Sequence, residues 1–313
     1  HGYMSFPIAR QRRCSMESFW YPTNGDGITD PMCRAAYQYV YDKVLDETGS
    51  TTDAISAAQY EFQQDNEYAA LAGPDYWDKC HITQQVVPNY LCAAGAHSWS
   101  NPFGDKSGVD ISGSWRPTVI PLSDNHQVSV PLELEFCPTA VHEPSYYEVY
   151  ITKPSFNVFI DRVVWGNLDL IYNDTVPLDP RLPYSICDAD LVYRFTVPIP
   201  IRQSQAVLYV RWQRLDPVGE GFYNCVDINF DYNNGPDDED IIVPDVEGGL
   251  LPNQCASTFN YNEGVPGFDT EEYYKYMYES LRFNRYNTNT CSSRDYGKQK
   301  WHRRHHHQYV YNK

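Results

Sequence analysis

The stretch VSVPLELEF at residues 128–136 alternates apolar and polar side chains in its second half, as a half-buried β-strand does. Short strand-like runs follow at residues 147–151, 157–164, 191–197, 206–212 and 225–230, with Pro and Gly between them. Six or seven short strands separated by turn residues are typical of an antiparallel sandwich. The sequence therefore predicts an all-β fold with a sandwich from about residue 119 to residue 230.

The sequence before the predicted sandwich has a different character. Residues 1 to about 115 are mostly irregular and rich in Gly, Pro and Tyr. Apolar residues at near-helical spacing predict a helix at residues 30–46, and a second short helix is predicted at 56–71. Long segments of this kind are usually functional or disordered rather than simple loops. We therefore expect residues 15–115 to form a large irregular and helical insertion that shapes one surface.

The sequence changes again after the sandwich. The stretch NNGPDDED at residues 233–240 combines a turn with an acidic run, which is typical of a solvated linker. The tail contains a predicted helix at residues 269–283, whose tyrosines leave few polar positions, so this helix must pack against something. We expect one domain at residues 1–232, then an acidic linker and a C-terminal extension for assembly at residues 233–313.

Self-association through this extension is the favoured interpretation of the tail. Exchange of an extension between identical chains is a low-cost way to build a dimer. The chain has nine cysteines, and an odd number leaves one thiol free or paired between chains. We therefore expect a homodimer or a larger array, in which Cys255 or Cys291 could form the intermolecular disulfide. The basic end RRHHH at residues 303–307 is interpreted as an exposed tail or crystal contact rather than a metal-binding cluster.

The composition excludes several classes of partner. The formal net charge of −17 argues against nucleic acid, because phosphates would be repelled, whereas an uncharged polysaccharide is compatible with it. No apolar run approaches the roughly 20 residues that span a membrane. Scattered cysteines without a CxxC pair indicate disulfides, and the glycosylation sequon at Asn173 also fits the secretory pathway.

His1 is the first candidate functional residue. Because the chain begins with histidine rather than methionine, we expect that cleavage exposed it, either of a signal peptide or of an engineered tag. Its α-amino group and ring Nδ1 can close a six-membered chelate on one metal ion. One further imidazole completes a planar three-nitrogen site, and such sites favour Cu(II). His1 alone does not decide between this site and an arbitrary start of the chain.

Two further stretches contain candidate chemistry. The stretch AVHEP at residues 140–144 places His142 in a turn between two strand-like runs, and YITKP follows at residues 150–154. The last predicted strand reads GFYNCVDINF at residues 221–230. Taken singly, His142 is an ordinary loop histidine and Phe222 is an ordinary core residue.

In this order, and with His1-Gly2 at the start, these stretches resemble the lytic polysaccharide monooxygenases of auxiliary activity family 10. The family pattern is an N-terminal His-Gly, a later Ala-x-His, a (Tyr/Phe)-Ile-Thr-Lys-Pro and a closing Phe-Tyr-x-x-x-Asp-(Val/Ile)-Asn strand. The resemblance covers residues 1 to about 232. The stretches FPIARQRRC at residues 6–14 and DPMCRAAY at residues 30–37 are more similar still to the insect-virus members. The resemblance implies an immunoglobulin-like or fibronectin III-like sandwich.

The resemblance also implies a copper centre of the histidine-brace type, with one copper per chain. His1 would supply its amine and Nδ1, and His142 would supply a ring nitrogen. Phe222 matches the axial aromatic residue of chitin-active members, which leaves room for oxygen without adding a donor. Ala140 matches the small residue that crowds the opposite axial side.

Further residues are assigned by the same resemblance. The segment QYE at residues 59–61 places Tyr60 on the substrate face and makes Glu67 the expected carboxylate near the metal ligands. Asp216 and Glu220 compete for a second acidic role, because neither has the spacing to Phe222 that the family pattern requires. On their own, Tyr60 would be a half-buried tyrosine and Glu67 a surface carboxylate.

The implied reaction is oxidative cleavage of chitin at C1, with an external electron donor and O2 or H2O2. The implied setting is a viral protein that disrupts the chitin-rich peritrophic matrix in the insect gut lumen and assembles into crystalline spindles derived from the endoplasmic reticulum. The alternative is a non-catalytic chitin-binding or structural, crystal-forming protein, which copper content and oxidised products would discriminate. We also expect a Cys14–Cys33 disulfide, because both residues flank the opening segment that must hold His1 still.

Overall fold

The computed structural model describes residues 1–17, 22–122 and 127–231. The predicted linker and extension at residues 233–313 lie outside the described residues, together with the helix at 269–283, the basic end at 303–307, Cys255 and Cys291. Among the helices of the described part, none combines the length and the apolar character needed to cross a membrane.

The strands of the described residues form two sheets. In chain order the strands are β1 (Gly2–Phe6), β2 (Ala69–Leu71), β3 (Thr118–Pro121), β4 (Ser129–Pro138), β5 (Ser145–Thr152), β6 (Leu168–Asp174), β7 (Leu178–Pro180), β8 (Leu191–Pro200), β9 (Ala206–Arg214) and β10 (Glu220–Asp231). One sheet has the order β1-β4-β8-β7, and the other has β2-β10-β9-β5-β6 with β3 beside β10. Strand β3 runs parallel to β10, and the other pairs are antiparallel. The predicted all-β sandwich of the immunoglobulin or fibronectin III type is confirmed.

The alternation that predicts β4 also explains its burial. Leu132, Leu134 and Phe136 are buried between the sheets, whereas Glu133, between the two leucines, is exposed. The Phe136 ring lies 5.0 Å from the ring of Trp212 on β9 and 5.6 Å from that of Tyr147 on β5. Aromatic pairs of this kind add about 0.5–1.5 kcal/mol each beyond the area they bury. The two sheets therefore meet over an aromatic core.

The structure contradicts the sequence prediction at two points in the sandwich. Residues 157–164 form no strand, because the Asp161 carboxylate accepts a hydrogen bond from the Asn157 N–H at 2.8 Å and closes a turn. The predicted start of the sandwich near residue 119 is also wrong. Strands β1 and β2 come from the N-terminal part and pair with β4 and β10, and such non-local pairing leaves no local sequence signal.

The helices are α1 (Arg10–Glu17), α2 (Pro31–Thr48), α3 (Thr51–Gln63) and α4 (Lys79–His81), with 3-10 turns at Gly73–Asp75, Leu91–Ala93, Ser107–Asp110 and Trp165–Asn167 and a π turn at Ile82–Val86. Helix α2 matches the helix predicted at residues 30–46, because Asp30 caps its first N–H groups and Gly49 ends it in the left-handed conformation. The helix predicted at 56–71 is α3, which Ser50 caps and which ends at Gln63. Residues 69–71 form strand β2 instead.

Disulfides connect the insertion internally and to the sandwich. The expected Cys14–Cys33 bridge is present and joins α1 to α2. A second bridge, Cys92–Cys225, connects the insertion to β10. A third bridge, Cys137–Cys187, connects β4 to the loop before β8. Cys80 is disulfide-bonded as well.

Candidate metal centre

His1 is fixed by backbone contacts on both sides. Its amine donates to the Ala140 carbonyl at 3.2 Å, and its own carbonyl accepts from the N–H groups of Thr139 and Ala140 at 2.9 and 3.1 Å. The next N–H, of Gly2, donates to the Asn66 carbonyl at 3.0 Å. A Cβ at Gly2 would lie 2.4 Å from the Phe136 ring, so only glycine permits this close approach. The position that matches the family's small residue, Ala140, thus holds His1 through its backbone.

Strand β1 is also attached to the second sheet. The Met4 N–H donates to the Asn224 side-chain oxygen at 3.1 Å, and the Gln11 amide donates to the same oxygen at 2.6 Å. Asn224 lies on β10 and is fully buried. Because buried polar bonds of this kind are costly to break, they fix the register of the segment that follows His1.

His142 lies in the connection between β4 and β5. Its ring is 5.8 Å from that of Trp212. Partial burial and then the nearby Arg214 guanidinium lower the pKa of His142, and the charge of His1 acts in the same direction. The neutral imidazole is the form that binds a metal ion, so this environment favours the ligating state.

Phe222 lies beside His1 and Trp212. Its ring is fully buried, 5.8 Å from the His1 ring in an edge-to-face arrangement and 5.0 Å from the Trp212 ring. Because Trp212 in turn contacts His142, these aromatic rings form the floor on which both histidines lie. The structure therefore brings together His1, His142 and Phe222.

Glu67 and Tyr60 lie on the His1 side of this floor. The Glu67 carboxylate is 3.6 Å from His1 Nε2, the ring nitrogen that chelation with the amine leaves unused. Burial and then the negative charge of the nearby Glu67 raise the pKa of Tyr60. A carboxylate on the far nitrogen of a metal-binding histidine orients its ring and raises its basicity. Glu67 is placed for that task.

Lys106 is a residue of this region that the sequence reasoning missed. It is fully buried, and its ammonium donates to the carbonyls of Tyr60, Glu61 and Gln64 at 3.1, 3.3 and 3.2 Å. The same ammonium lies 4.7 Å from the centre of the Tyr60 ring. These carbonyls lie at the C-terminal end of α3, where a positive charge is favourable, so Lys106 adds a common donor to the Gln64 N–H that already bonds the Tyr60 carbonyl. A lysine in an irregular segment is ordinarily exposed, and nothing in the sequence marks this one.

Asp216 and Glu220 lie on the His142 side. Both contact Arg214, whose guanidinium nitrogens are 2.6 Å from Asp216 and 2.7 Å from Glu220. Partial burial alone would raise the pKa of Asp216, but the hydrogen bond from the Gly219 N–H and the charge of Arg214 hold it below its usual value. The two acids therefore set the charge around His142, whereas Glu67 contacts His1.

The donor set fits a copper site of nitrogen ligands. His1 and His142 offer an amine and two imidazoles, which suits the tetragonal nitrogen geometry of Cu(II). In the described ranges no group of three or more His, Cys, Asp or Glu side chains is gathered for a metal, but a brace does not need one. His81 and His97 instead contact backbone carbonyls at 3.0 and 2.8 Å.

Comparisons with known proteins agree with this geometry. Residues 1–228 match the family model described as lytic polysaccharide mono-oxygenase, cellulose-degrading. The spindolin of Choristoneura biennis entomopoxvirus is 59% identical over 321 residues, covering 100% of this chain and 93% of that protein. The structure of Wiseana spp entomopoxvirus fusolin spindles is 98% identical, with a TM-score of 0.74, and covers 91% of this chain and 100% of that one. An entomopoxvirus fusolin in complex with zinc is 53% identical, with a TM-score of 0.74, covering 96% and 100%.

Proposed function

The chain belongs to the lytic polysaccharide mono-oxygenase family, and we propose that it cleaves chitin oxidatively at C1 with one copper per chain. The family is copper-dependent and cleaves polysaccharides by oxidation. The resemblance to insect-virus members, inferred from the opening residues, is confirmed by the similarity to spindolin and fusolin.

One observation supports the proposal most strongly: His1 lies beside the apolar Phe222 ring and His142 beside Trp212, which contacts Phe222, and the charge of His1 acts on His142. In the form of the chain that begins at His1, the two histidines offer three nitrogen donors. Phe222 is the residue type that the resemblance associates with chitin-active members. It offers no donor atom of its own, so it would not compete with a small molecule for a copper ion held by the histidines.

The residues of the chain bind and orient the reacting groups. When bound, copper would supply the redox chemistry, in which an external electron donor and O2 or H2O2 lead to removal of a hydrogen from the sugar C1. The Glu67 carboxylate, 3.6 Å from His1 Nε2, orients the His1 ring. Burial and then the positive charge of Arg214 lower the pKa of His142, which favours its neutral, metal-binding form.

Tyr60 is the proposed contact to the sugar chain. It is half-buried, with the backbone of Gly104 against the Cδ1–Cε1 edge of its ring and the Lys106 ammonium 4.7 Å from the ring centre. A ring fixed in this way can present its edge or its other face to a flat crystalline surface at low conformational cost. An insoluble chain cannot enter a deep pocket, so a flat site suits this substrate.

Mass spectrometry of products from β-chitin tests the reaction. The copper-loaded full chain with a reductant is expected to release C1-oxidised chitooligosaccharides, and the His142→Ala variant is expected to release none. Cellulose is included because the family model is described as cellulose-degrading. Products from cellulose alone would overturn the substrate, and no products from either polymer with copper bound would overturn the catalytic role.

A second proposed role is storage in crystals. It is supported by the fusolin spindles of the 98% identical relative. We propose that the protein enters the secretory pathway, can be glycosylated at Asn173, which is exposed on edge strand β6, and assembles into spindles derived from the endoplasmic reticulum. Released protein would then disrupt the chitin-rich peritrophic matrix in the insect gut lumen. The alternative, a non-catalytic chitin-binding or crystal-forming protein, predicts binding or crystals without oxidised products.

The proposed division of the chain assigns catalysis to residues 1–232 and assembly to residues 233–313. Deletion of residues 251–313 is expected to leave copper binding and chitin oxidation intact and to abolish self-association. Light scattering under non-reducing conditions measures the assembly. A truncated chain that assembles as before would refute the role of the extension.

A further inference from the structure

Trp77 is an exposed aromatic residue with no role in the metal centre. It lies in the loop after β2, and 61% of its surface is exposed. One face of its ring is stacked on Tyr146, with centroids 4.8 Å apart and ring planes only 3° from parallel. Tyr146 itself is buried, so it forms a fixed base under the exposed ring. The indole is therefore held flat, with its opposite face not covered by this stack.

Hydrogen bonds from the side chains of Arg211 and Tyr146 fix the backbone next to Trp77. The carbonyl of Tyr76 accepts hydrogen bonds from the Arg211 guanidinium at 2.9 Å and from the Tyr146 hydroxyl at 3.4 Å. Arg211 is buried and is paired with Glu148 at 3.1 Å. A buried ion pair that holds a loop carbonyl limits the motion of that loop. The position of Trp77 is thus prepared before any ligand binds.

This loop lies at the same end of the sandwich as the metal centre. Strand β2 ends at Leu71, and the next N–H groups, of Ala72 and Gly73, each donate at 3.0 Å to the carbonyls of Gly219 and Val218. A Cβ at Gly219, where φ is +60°, would lie 1.9 Å from the Gly73 carbonyl oxygen, so the two segments touch. That turn also contains Asp216, which influences His142.

Tyr146, on which Trp77 is stacked, also lies at this end of the sandwich. Tyr146 follows His142 by four residues and lies at the start of β5, where Ser145 pairs with Arg214. The chain can extend at most ~3.6 Å per residue, so Tyr146 and His142 are no more than about 15 Å apart. Trp77 is thus within a few sugar units of the metal centre along a polymer.

We propose that Trp77 is an additional polysaccharide-binding subsite, which stacks on a sugar ring of the same chitin chain that the metal centre oxidises. The inference extends the proposed function and depends on it. A large apolar ring kept in water is costly, and here it is held rigidly at the edge of the reactive face. The stack on Tyr146 is uncharged, which suits an uncharged polymer. The subsite adds affinity and keeps the chain in place between reaction cycles.

Binding to insoluble β-chitin, measured by depletion without reductant, tests the subsite in the full chain. Trp77→Ala is expected to weaken binding about two- to tenfold, the range that one aromatic contact supplies. Trp77→Phe retains a ring and should recover most of the affinity. The matched control is Phe159→Ala, because Phe159 is 63% exposed and follows the opposite end of β5. Circular dichroism checks that each variant is folded.

The outcomes separate the subsite from the proposed function. If Trp77→Ala and Phe159→Ala weaken binding equally, or if neither does, while the unsubstituted chain binds and oxidises chitin, the subsite is refuted and the function stands. If the unsubstituted chain neither binds nor oxidises chitin, both fail. Selective weakening by Trp77→Ala, with copper affinity unchanged, supports the subsite.

Discussion

The two histidines of the proposed site are held in different ways. His1 is positioned by backbone hydrogen bonds to Ala140 and Thr139, and a carboxylate from the insertion contacts its ring. His142 lies in a connection between strands, where the charges of Arg214, Glu220 and Asp216 act on it. Hydrogen bonds and the nearby carboxylate thus determine the position of His1, whereas the surrounding charges act on the protonation of His142. Substitutions in the insertion should therefore affect metal binding by displacing the His1 ring. Substitutions on β9 and β10 should affect it by changing the pKa of His142, and thus the pH dependence of metal binding.

The largest expected effect is on the His1 side. One extra residue before His1 converts the chelating amine to an amide, which cannot supply the same lone pair, and also disturbs the hydrogen bond to Ala140. We expect copper affinity to fall by more than the roughly 10- to 100-fold that loss of a supporting contact produces. Isothermal titration against the chain that begins at His1 measures it.

His142→Ala is the matched comparison, because it removes one nitrogen and leaves the chelate ring of His1 intact. It should weaken copper binding less than the extension does. Undiminished copper affinity in the extended chain would refute the brace.

The next effect concerns the link between the insertion and the sandwich. Replacing Cys92 and Cys225 by serine removes the bridge from the insertion to β10. Loss of a native disulfide costs about 2–5 kcal/mol of unfolding free energy. Thermal unfolding measures the change, and the fold of the sandwich itself should persist. Removal of Cys137–Cys187, which joins β4 to a surface loop, should lower the unfolding free energy less than removal of Cys92–Cys225. The opposite order would contradict the prediction.

Sequence reasoning predicted the sandwich better than it predicted the site. Alternation identified β4 and β5, and strand-like runs identified β8, β9 and the second half of β10. Strand β9 is buried along nearly its whole length, so its sequence is a nearly continuous apolar run. The same signal failed at residues 157–164, where a turn exposes the apolar residues Phe159 and Ile160. The pairing of His1 with His142 came from the family resemblance, since no sequence spacing fixes a distance across 141 residues. Lys106 carried no local signal, because the carbonyls it contacts are distant in sequence.

Lys106→Met should loosen the end of α3. Three carbonyls lose their common donor, which is expected to lower the unfolding free energy by about 1–3 kcal/mol. Because Tyr60 lies in the last turn of α3 and Glu67 follows it, copper affinity should also fall, by about tenfold. The matched control is Lys153→Met, whose ammonium donates to one carbonyl, of Gly166, at the surface. Equal effects of the two variants would contradict the capping role of Lys106.

The pH dependence of the stability difference between the unsubstituted chain and Lys106→Met is a further test of Lys106. Burial lowers the pKa of Lys106 from 10.5 to about 8. Between these values the unfolded chain holds a proton that the folded chain has lost, so the unfolding free energy rises with pH. The stability of the unsubstituted chain relative to Lys106→Met should therefore increase from pH 8 to about 10, as urea unfolding at each pH can show. A constant difference over this range would mean that Lys106 keeps its usual pKa.

The smallest expected effect is on the His142 side. Arg214→Gln removes a positive charge that lowers the pKa of His142 and leaves Glu220 and Asp216, which both raise it, without their common partner. All of these changes favour the charged imidazole, so the pKa of His142 should rise. An NMR titration of its ring protons in the metal-free protein measures the shift, and Arg194→Gln on β8, which faces Glu133, is the control. The backbone contacts of His1 do not involve Arg214, so its position should be unchanged. A pKa of His142 that stays constant or falls would show that burial alone sets its protonation, and the contrast between the two histidines would then be one of geometry only.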